Sequence, residues 1–363
     1  MFILHLLDHH WRYNGMVHAA VDLACAQAEL GHTVAVCSSE GSFAPLFAKH
    51  NIEFFEVDAL RRKSGAVMAV IGLWRVLGRF EPDVIHAHMT KSALIAFVVS
   101  RLRGVPMVTC VQNSFSKYAG LMKVGDRVIT GCQVVADDMT RRGVPLDKLR
   151  PILNGTIGSA RQAPSDGDEF ANPFQHPAIV TFCGMHWRKG VPDLIAGFQL
   201  ARQTRPELNL YLFGEGPNLD EYRQLVNAEN AAHITFCSPV PNAKPYLRAA
   251  DAFVLASLAD PAPLVICEAR EAGLAVVATR VDGIPELLED GRAGILVDAR
   301  APEQIAEKLI YLFSDPSHLR TWRENSQILI DRLEVRRVAE QSVEVYLEVI
   351  RTRPSSQRAL LAE

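Results

Sequence analysis

Asp260 and Glu268 lie eight positions apart in the stretch SLADPAPLVICEAREAGLAVVATRVDGIPE, which runs from Ser257 to Glu286. The apolar run DAFVLA that leads into it reads as a buried strand, and Asp260-Pro261-Ala262-Pro263 as an elbow. A helix is predicted from about Leu264 to Ala272, ended by Gly273. A second buried strand covers Ala275 to Thr279, and a Gly-Ile-Pro-Glu turn closes the stretch. The two carboxylates therefore stand at the mouth and in the first turns of one helix. The N–H groups of Leu264 and Val265 at that helix start, with the positive end of its dipole, suit an anionic ligand. Pro263 has no N–H to offer. An N-cap aspartate and a solvated glutamate would leave the same pattern, so the pair needs company to mean chemistry.

Cations stand upstream. The predicted strand Ala178–Cys183 runs into GMHWRKGVPDLIAGF, where Gly184 opens a loop and Arg188, Lys189 and Gly190 precede a helix. Lysine brings a point charge and arginine a bidentate fork, both suited to phosphate. After another strand comes Gly214-Glu215-Gly216-Pro217, and Ser238 to Val240 follow a further one. In the first half, three loops after strands carry polar groups: Asn14-Gly15 before a helix, His88 in HAHMTKSA, and Gln112-Asn113 in VTCVQNSFSKY. Asn-Gly is also an ordinary turn. His86 and His88 alternate onto one side of a strand end. Two imidazoles without a carboxylate or cysteine partner make a poor metal set, and His9 and His10 read as loop surface. No metal is expected.

These residues sit in a chain of 363, long enough for two domains. Hydrophobic content of 48% and charge of 22% fit a globular protein. The net charge of −3 divides into +4 over residues 1–156 and −7 over the remainder. The basic half leaves room for an anionic acceptor or a membrane face, though so small an excess is ordinary solvated surface, and nothing points to nucleic acid. The seven cysteines lack CxxC spacing and sit in apolar runs, which suits reduced core thiols in the cytoplasm better than a disulfide framework. MFILHLLDHHW lacks a basic leader, and the longest apolar run, Gly65 to Trp74, is cut by Arg75, so neither a signal peptide nor a membrane span is expected. Arg61 to Phe80 reads as a basic helix. It could lie on a membrane, but packing on a sheet with Trp74 in the core is the simpler expectation.

Elements that would position the loops alternate regularly. Strands are predicted at Phe2–Leu7, Thr33–Cys37, Ile52–Val57, Asp83–His86, Pro106–Val111 and Arg127–Thr130. Helices are predicted at Met16–Leu30, Ser64–Phe80, Lys91–Arg103 and Gly131–Arg142. Such alternation argues for a doubly wound parallel sheet, whose ligands sit beyond the carboxyl ends of the strands. RPILNGT reads as the turn ending this half. Residues 157–176, rich in Gly, Pro, Ser and Asp, read as a linker. The alternation resumes at Ala178; residues 317–353 read as two helices, and 354–363 as a tail.

An acidic residue, seven others, a second acidic residue, then alanine, a helix-ending glycine, an apolar strand and a GIPE turn resemble the signature EGFGLVxLEAMAxGxPVVAT of family 4 glycosyltransferases, group 1 type. Asp260 stands where the first glutamate usually is, and Glu268 matches the second. Lys189 fits the lysine of GRLxxxKG, although Met185 occupies the usual arginine position and the segment is one residue shorter. Gly214–Pro217 resembles VGDGP, and RPILNGT resembles VxPNGVD. Gly15 keeps the second member of a usual Gly-Gly pair, and Gln112 replaces the histidine of TxHG. The likeness spans about residues 2 to 350, strongest over 178–298.

The resemblance implies a GT-B fold: α/β, two Rossmann-like doubly wound parallel-sheet domains facing a central cleft, with a C-terminal helix crossing back to the first domain. The domains would be 1–156 plus about 335–353, on the acceptor side, and 177–334, which binds the nucleotide sugar. It implies a retaining hexosyltransferase that moves a sugar from a nucleotide-diphosphate donor to a glycan, lipid-linked or small-molecule acceptor, without a metal, in the cytoplasm or at the inner membrane face. Asp260, Glu268, Gln112 and Lys189 would be catalytic. Asn14, Gly15, His88, Gly184, Arg188, Gly214, Glu215, Gly216, Val240, Ala262, Leu264 and Val265 would join Lys189 and Glu268 in binding substrate. Gln112 can bond a sugar hydroxyl but cannot change charge near neutral pH. A weakened relative that binds nucleotide without transfer is the alternative. A phosphorylase or epimerase on the same fold would differ in needing no acceptor. A nicotinamide dehydrogenase lacks its GxGxxG.

Overall fold

Runs such as Met107–Val111 and Ala275–Thr279 are buried at every position. A strand apolar on both sides needs helices over both faces, which only crossover-connected parallel sheets provide. The computed structural model describes residues 1–12, 14–62, 65–162 and 172–352 and shows that arrangement twice. The middle of the predicted linker and the predicted tail lie outside the described residues. The chain divides into two compact units, Met1–Arg161 with the segment from Glu334 onward, and Gln162–Leu333.

The first unit contains β1 (Phe2–Leu6), α1 (Gly15–Glu29), β2 (Thr33–Ser38), α2 (Ala44–Lys49), β3 (Glu53–Glu56), α3 (Ala66–Phe80), β4 (Val84–Ala87), α4 (Thr90–Arg103), β5 (Met107–Val111), β6 (Arg127–Thr130), α5 (Gln133–Arg141) and β7 (Leu149–Pro151). Its seven strands run in the order β3-β2-β1-β4-β5-β6-β7, every pairing parallel. The second unit contains β8 (Ala178–Phe182), α6 (Val191–Arg202), β9 (Asn209–Phe213), α7 (Leu219–Gln224), β10 (Ile234–Cys237), α8 (Lys244–Ala249), β11 (Ala252–Leu255), α9 (Leu264–Glu271), β12 (Ala275–Thr279), α10 (Ile284–Leu287), β13 (Ile295–Val297), α11 (Pro302–Ser314) and α12 (Pro316–Asn325). Its six strands run β10-β9-β8-β11-β12-β13, again all parallel. In both sheets the order reverses once, between β1 and β4 and between β8 and β11. Such a reversal is where open α/β sheets hold ligands.

The last helix, α13 (Val335–Arg351), belongs to the first unit. Val345, Tyr346 and Val349 pack on Ile3, Val84, Val108 and Ile129, and Val335 and Ala339 pack on Leu23 and Ala26 of α1. Glu348 fastens it to the sheet: its carboxylate accepts from Arg127 on β6 (2.9 Å) and from Arg150 on β7 (3.0 and 2.5 Å). The chain after β7 is held to α1 by Asp22, which accepts from Thr156 and Ser159 at 2.5 Å and pairs with Arg161.

Several sequence expectations need correcting. The turn read at RPILNGT begins with an edge strand, β7, and the GIPE turn is a single helical turn, α10. His10 is wholly buried rather than loop surface. The chain after β1 bridges Gly41, so the imidazole bonds Ser38 Oγ at 2.7 Å and meets the rings of Phe47 and Phe54. Trp74 is 39% exposed. The buried stripe of α3 is Ala69, Leu73, Val76, Leu77 and Phe80, and the residue after Leu73 turns away from it. All seven cysteines are free thiols, five of them buried. Among the described residues no helix is long and apolar enough to cross a membrane.

Arg150 first, then Arg127, holds the Glu348 carboxyl below the usual glutamate range. A depressed folded-state pKa contributes stability above the unfolded glutamate pKa and loses it as pH falls through the folded value. Glu348→Gln should therefore melt below wild type at pH 7, and the difference should close on acidification toward pH 3. A gap that persists in acid would mean that packing, not charge, fastens α13.

Candidate functional site

At the reversal of the second sheet, the loops after β8 and β11 touch. The carbonyl of Arg188 accepts from the N–H of Leu258 at 2.7 Å, and Gly190 takes φ +59° against Ala256. A β-carbon on Gly190 would stand 1.9 Å from the Ala256 carbonyl oxygen. This closeness brings Lys189 to Asp260: Lys189 Nζ donates to Asp260 Oδ2, and Ser257 Oγ donates to the same oxygen at 3.2 Å. Asp260 N–H donates to Asp282 Oδ2 at 2.6 Å, and Thr279 Oγ1 donates to the Ser257 carbonyl at 2.5 Å. Asp282 sits at φ +46° just after β12, so three loops converge on the residue Asp260.

The loop after β9 is fixed to the same place. Met185 N–H donates to the Glu215 carbonyl at 2.8 Å, and Asn218 N–H to the Met185 carbonyl at 3.0 Å. Gly214, at φ +149°, passes so near β8 that a β-carbon would lie 1.9 Å from the Cys183 carbonyl oxygen. Glu215 and Gly216 are exposed, Gly184, Arg188 and Val240 half-buried, and Ala262 and Leu264 buried. Met185, at the position of the family's arginine, is 0% exposed and packs in the core. Helix α9 begins after Pro263 with no side-chain cap, which leaves its first-turn N–H groups to other partners, and Val265 is half-buried there. Glu268, in its second turn, is 9% exposed, as is Asp260. Lys189, Asp260, Glu268 and the start of α9 thus share one end of one sheet.

The candidates from the first half lie in the other unit. Asn14 caps α1, its Oδ1 accepting from Met16 N–H at 3.0 Å, and Gly15 opens the helix with nothing within 4 Å of where a β-carbon would be. Gln112 turns inward: Nε2 donates to Cys110 Sγ at 3.2 Å, and Oε1 is buried without a partner. His88 is 3% exposed and bonds His5 Nδ1 at 2.9 Å.

Residues 13–156 match the family described as Glycosyltransferase Family 4, and residues 176–315 match Glycosyl transferases group 1. The chain belongs to glycosyltransferase family 4. It is 30% identical over 273 residues to a D-inositol 3-phosphate glycosyltransferase from Pseudarthrobacter chlorophenolicus, covering 66% of this chain and 64% of that protein. It is 28% identical over 297 residues to a glycogen synthase from Mycobacterium tuberculosis, covering 74% and 69%. The chain thus spans about two thirds of the length of these relatives. Among solved structures, a glycosyltransferase from Rickettsia africae superposes with a TM-score of 0.79 at 17% identity, covering 97% of this chain and 99% of that one. Anabaena HepE, solved in complex with UDP-glucose, gives 0.77 at 20% identity, covering 96% and 100%. At these identities the likeness establishes the GT-B fold.

Three residues of this family 4 chain escaped the sequence reading. Ser257 and Asp282 hold Asp260, but both sit in loops where serine and aspartate are ordinary turn formers. His186, in the loop after β8, is kept below its usual pKa first by burial and then by Arg188 and Lys189. Its place beside two cations was a signal in GMHWRKG.

Gly190→Ala should cost about 2 kcal/mol or more, from the positive φ together with the collision with Ala256. Urea unfolding measures it, and an unchanged midpoint would mean that the two loops are not held together.

Proposed function

We propose that this protein transfers a sugar, with retention, from a nucleotide-diphosphate donor to a glycan, lipid-linked or small-molecule acceptor. The observation that carries the reading is the Lys189–Asp260 ion pair beside the uncapped start of α9. A departing diphosphate develops negative charge, and preset cations and N–H groups lower that barrier most effectively where water is scarce. Lys189, Arg188 and the N–H groups of Leu264 and Val265 serve the diphosphate, and Glu268 accepts from the ribose hydroxyls. Asp260 accepts from hydroxyls of the donor sugar, and Ser257 and Asp282 fix its direction. In the free protein Asp260 holds Lys189 in place, so the donor exchanges one anionic partner of that lysine for another. On this reading no metal takes part in the transfer.

A second reading, nucleotide binding without transfer, draws on two observations. Met185 is buried where the family carries arginine, and the Gln112 amide is turned to Cys110. Release of free sugar or transfer to any acceptor from a nucleotide sugar, followed by chromatography, excludes it.

A lipid-linked acceptor fits the surface of α3 and α4. Val67 (72% exposed), Met68 (61%), Ile71 and Trp74 form an outward stripe on α3, and Leu94, Val98 and Leu102 form another on α4. Arg103 lies over the Trp74 ring at 3.8 Å, and Arg62 and Arg75 are exposed nearby in sequence. Apolar side chains rimmed by arginines suit an anionic bilayer surface. The protein should sediment with phosphatidylglycerol vesicles, and Val67→Glu with Trp74→Glu should abolish this. Equal recovery of the double variant would remove the membrane from the reading.

The donor test is a thermal-shift panel of UDP, GDP, ADP, CMP and their sugars, with UDP-glucose first because HepE binds it. A ligand at a hundredfold its Kd should add about 2.7 kcal/mol. Lys189→Ala should lose most of the shift. A shift unchanged in that variant would overturn the assignment of Lys189 to the diphosphate.

A further inference from the structure

Three histidines meet in the core of the first unit, and His88, which the family resemblance placed among the substrate contacts, is buried there against the other two. His5 on β1 and His86 on β4 are register partners, and His88 follows on the same face two residues later. The rings are 0, 0 and 3% exposed. One nitrogen from each lies within 4.8 Å of the other two. The sequence offered only the His86–His88 pair. The third imidazole comes from a strand eighty residues earlier, joined to them by the sheet register.

Their hydrogen bonds can be followed proton by proton. Gln27 Oε1 accepts from His5 Nε2 at 2.8 Å, so neutral His5 is bare at Nδ1 and accepts from His88 Nε2 at 2.9 Å. His88 Nδ1 is then an acceptor, and it has no partner among the described residues. Tyr346 Oη accepts from Gln27 Nε2 at 3.1 Å and donates to His86 Nδ1 at 2.6 Å. His86 Nε2 therefore carries its proton into a place with no acceptor. Gln112 Oε1 and Ser342 Oγ are also buried without partners. All four of these residues line a single cavity of about 20 Å³, enough for one water. Buried polar groups seldom go unmatched, and four around one void suit a shared polar ligand. Burial also keeps all three imidazoles neutral, His5 down to about 4.

We propose that His5, His86 and His88 bind one borderline d-block dication of the zinc or cobalt(II) class, with a water in the cavity as fourth donor. Three imidazoles and a water are a tetrahedral set such ions accept, at about 2.0–2.1 Å per nitrogen. The rings must close inward to reach that distance, and His86 and His88 border the cavity that gives them room. Protons balance without net release from the imidazoles. His88 moves its proton from Nε2 to Nδ1, facing the cavity shared with Gln112. His86 moves its proton from Nε2 to Nδ1, where Tyr346 Oη changes from donor to acceptor. His5 keeps Nε2–H on Gln27. His5 and His86 then each have an outer partner, Gln27 and Tyr346, of the kind that orients metal-bound imidazoles. The ligands carry no charge, so ionisation of the bound water, whose proton leaves to solvent, lowers the charge of the site from +2 to +1. The ion ties β1 and β4 to α1 and α13 and takes no part in sugar transfer.

The test uses the full chain, freed of metal by chelator and titrated with cobalt(II), then zinc. Expected are one equivalent per chain, the visible absorption of four-coordinate cobalt, its replacement by zinc, and a raised melting temperature. His88→Gln should weaken binding at least tenfold, whereas His9→Gln, outside the cluster, should bind as wild type. If His88→Gln fails to fold, X-ray absorption of the zinc-loaded wild type carries the test and should show three imidazole nitrogens. Absence of stoichiometric uptake by folded wild type, unaltered affinity in a folded His88→Gln, or a zinc shell without three imidazoles would each overturn the proposal.

Discussion

Where the connections of two neighbouring parallel strands depart to opposite sides, no helix covers the strand ends, and the loops that start there must cross at close range. At β8 and β11 this crossing leaves no space for a side chain on Gly190, whose neighbour Lys189 is thereby set beside Asp260. The same economy of space at Gly214 fixes the loop after β9. The charged groups thus inherit their positions from backbone contact. Ser257 then bonds the carboxylate itself, while Thr279 and Asp282 fix the backbone that carries Ser257 and Asp260.

The ion pair carries a cost. The side chains of Lys189 and Asp260 are 19% and 12% exposed, so both have given up much of their hydration, and a partly buried pair recovers that only with further bonds. Asp260 has them. An arrangement satisfied without ligand resists collapse, and it still yields to an anion that brings more charge than one carboxylate. The first unit solves the equivalent position differently, with neutral imidazoles, an amide and a phenol, and leaves a void among them.

Much of this was legible in the sequence because period and punctuation decided it. The stretch from Ser257 to Thr279 combined a continuous apolar run, a proline elbow and a helix-ending glycine, and each has a single local interpretation. Elements whose existence depends on neighbours were harder. β7 is three residues long and exists because β6 offers it an edge. Trp74 is outside because the phase of α3 is set by Leu73 and Phe80, and aromatic character alone gives no phase. His10 is inside because a bridge to Gly41 folds its loop under β2. His5 could not be joined to His86 without the register of β1 on β4.

Helix α13 lies last in the chain and packs in the first unit. During synthesis the second unit, Gln162–Leu333, is complete before the ribosome delivers Tyr346 and Val349. Until then Ile3, Val108 and Ile129 lack their cover, and β1, β4 and β5 wait with an apolar face open. The usual amino-to-carboxyl order of domain maturation is therefore inverted. A nascent chain stalled between Leu333 and Tyr346 presents a finished carboxyl-side domain joined to an amino-side one that is a client for chaperones.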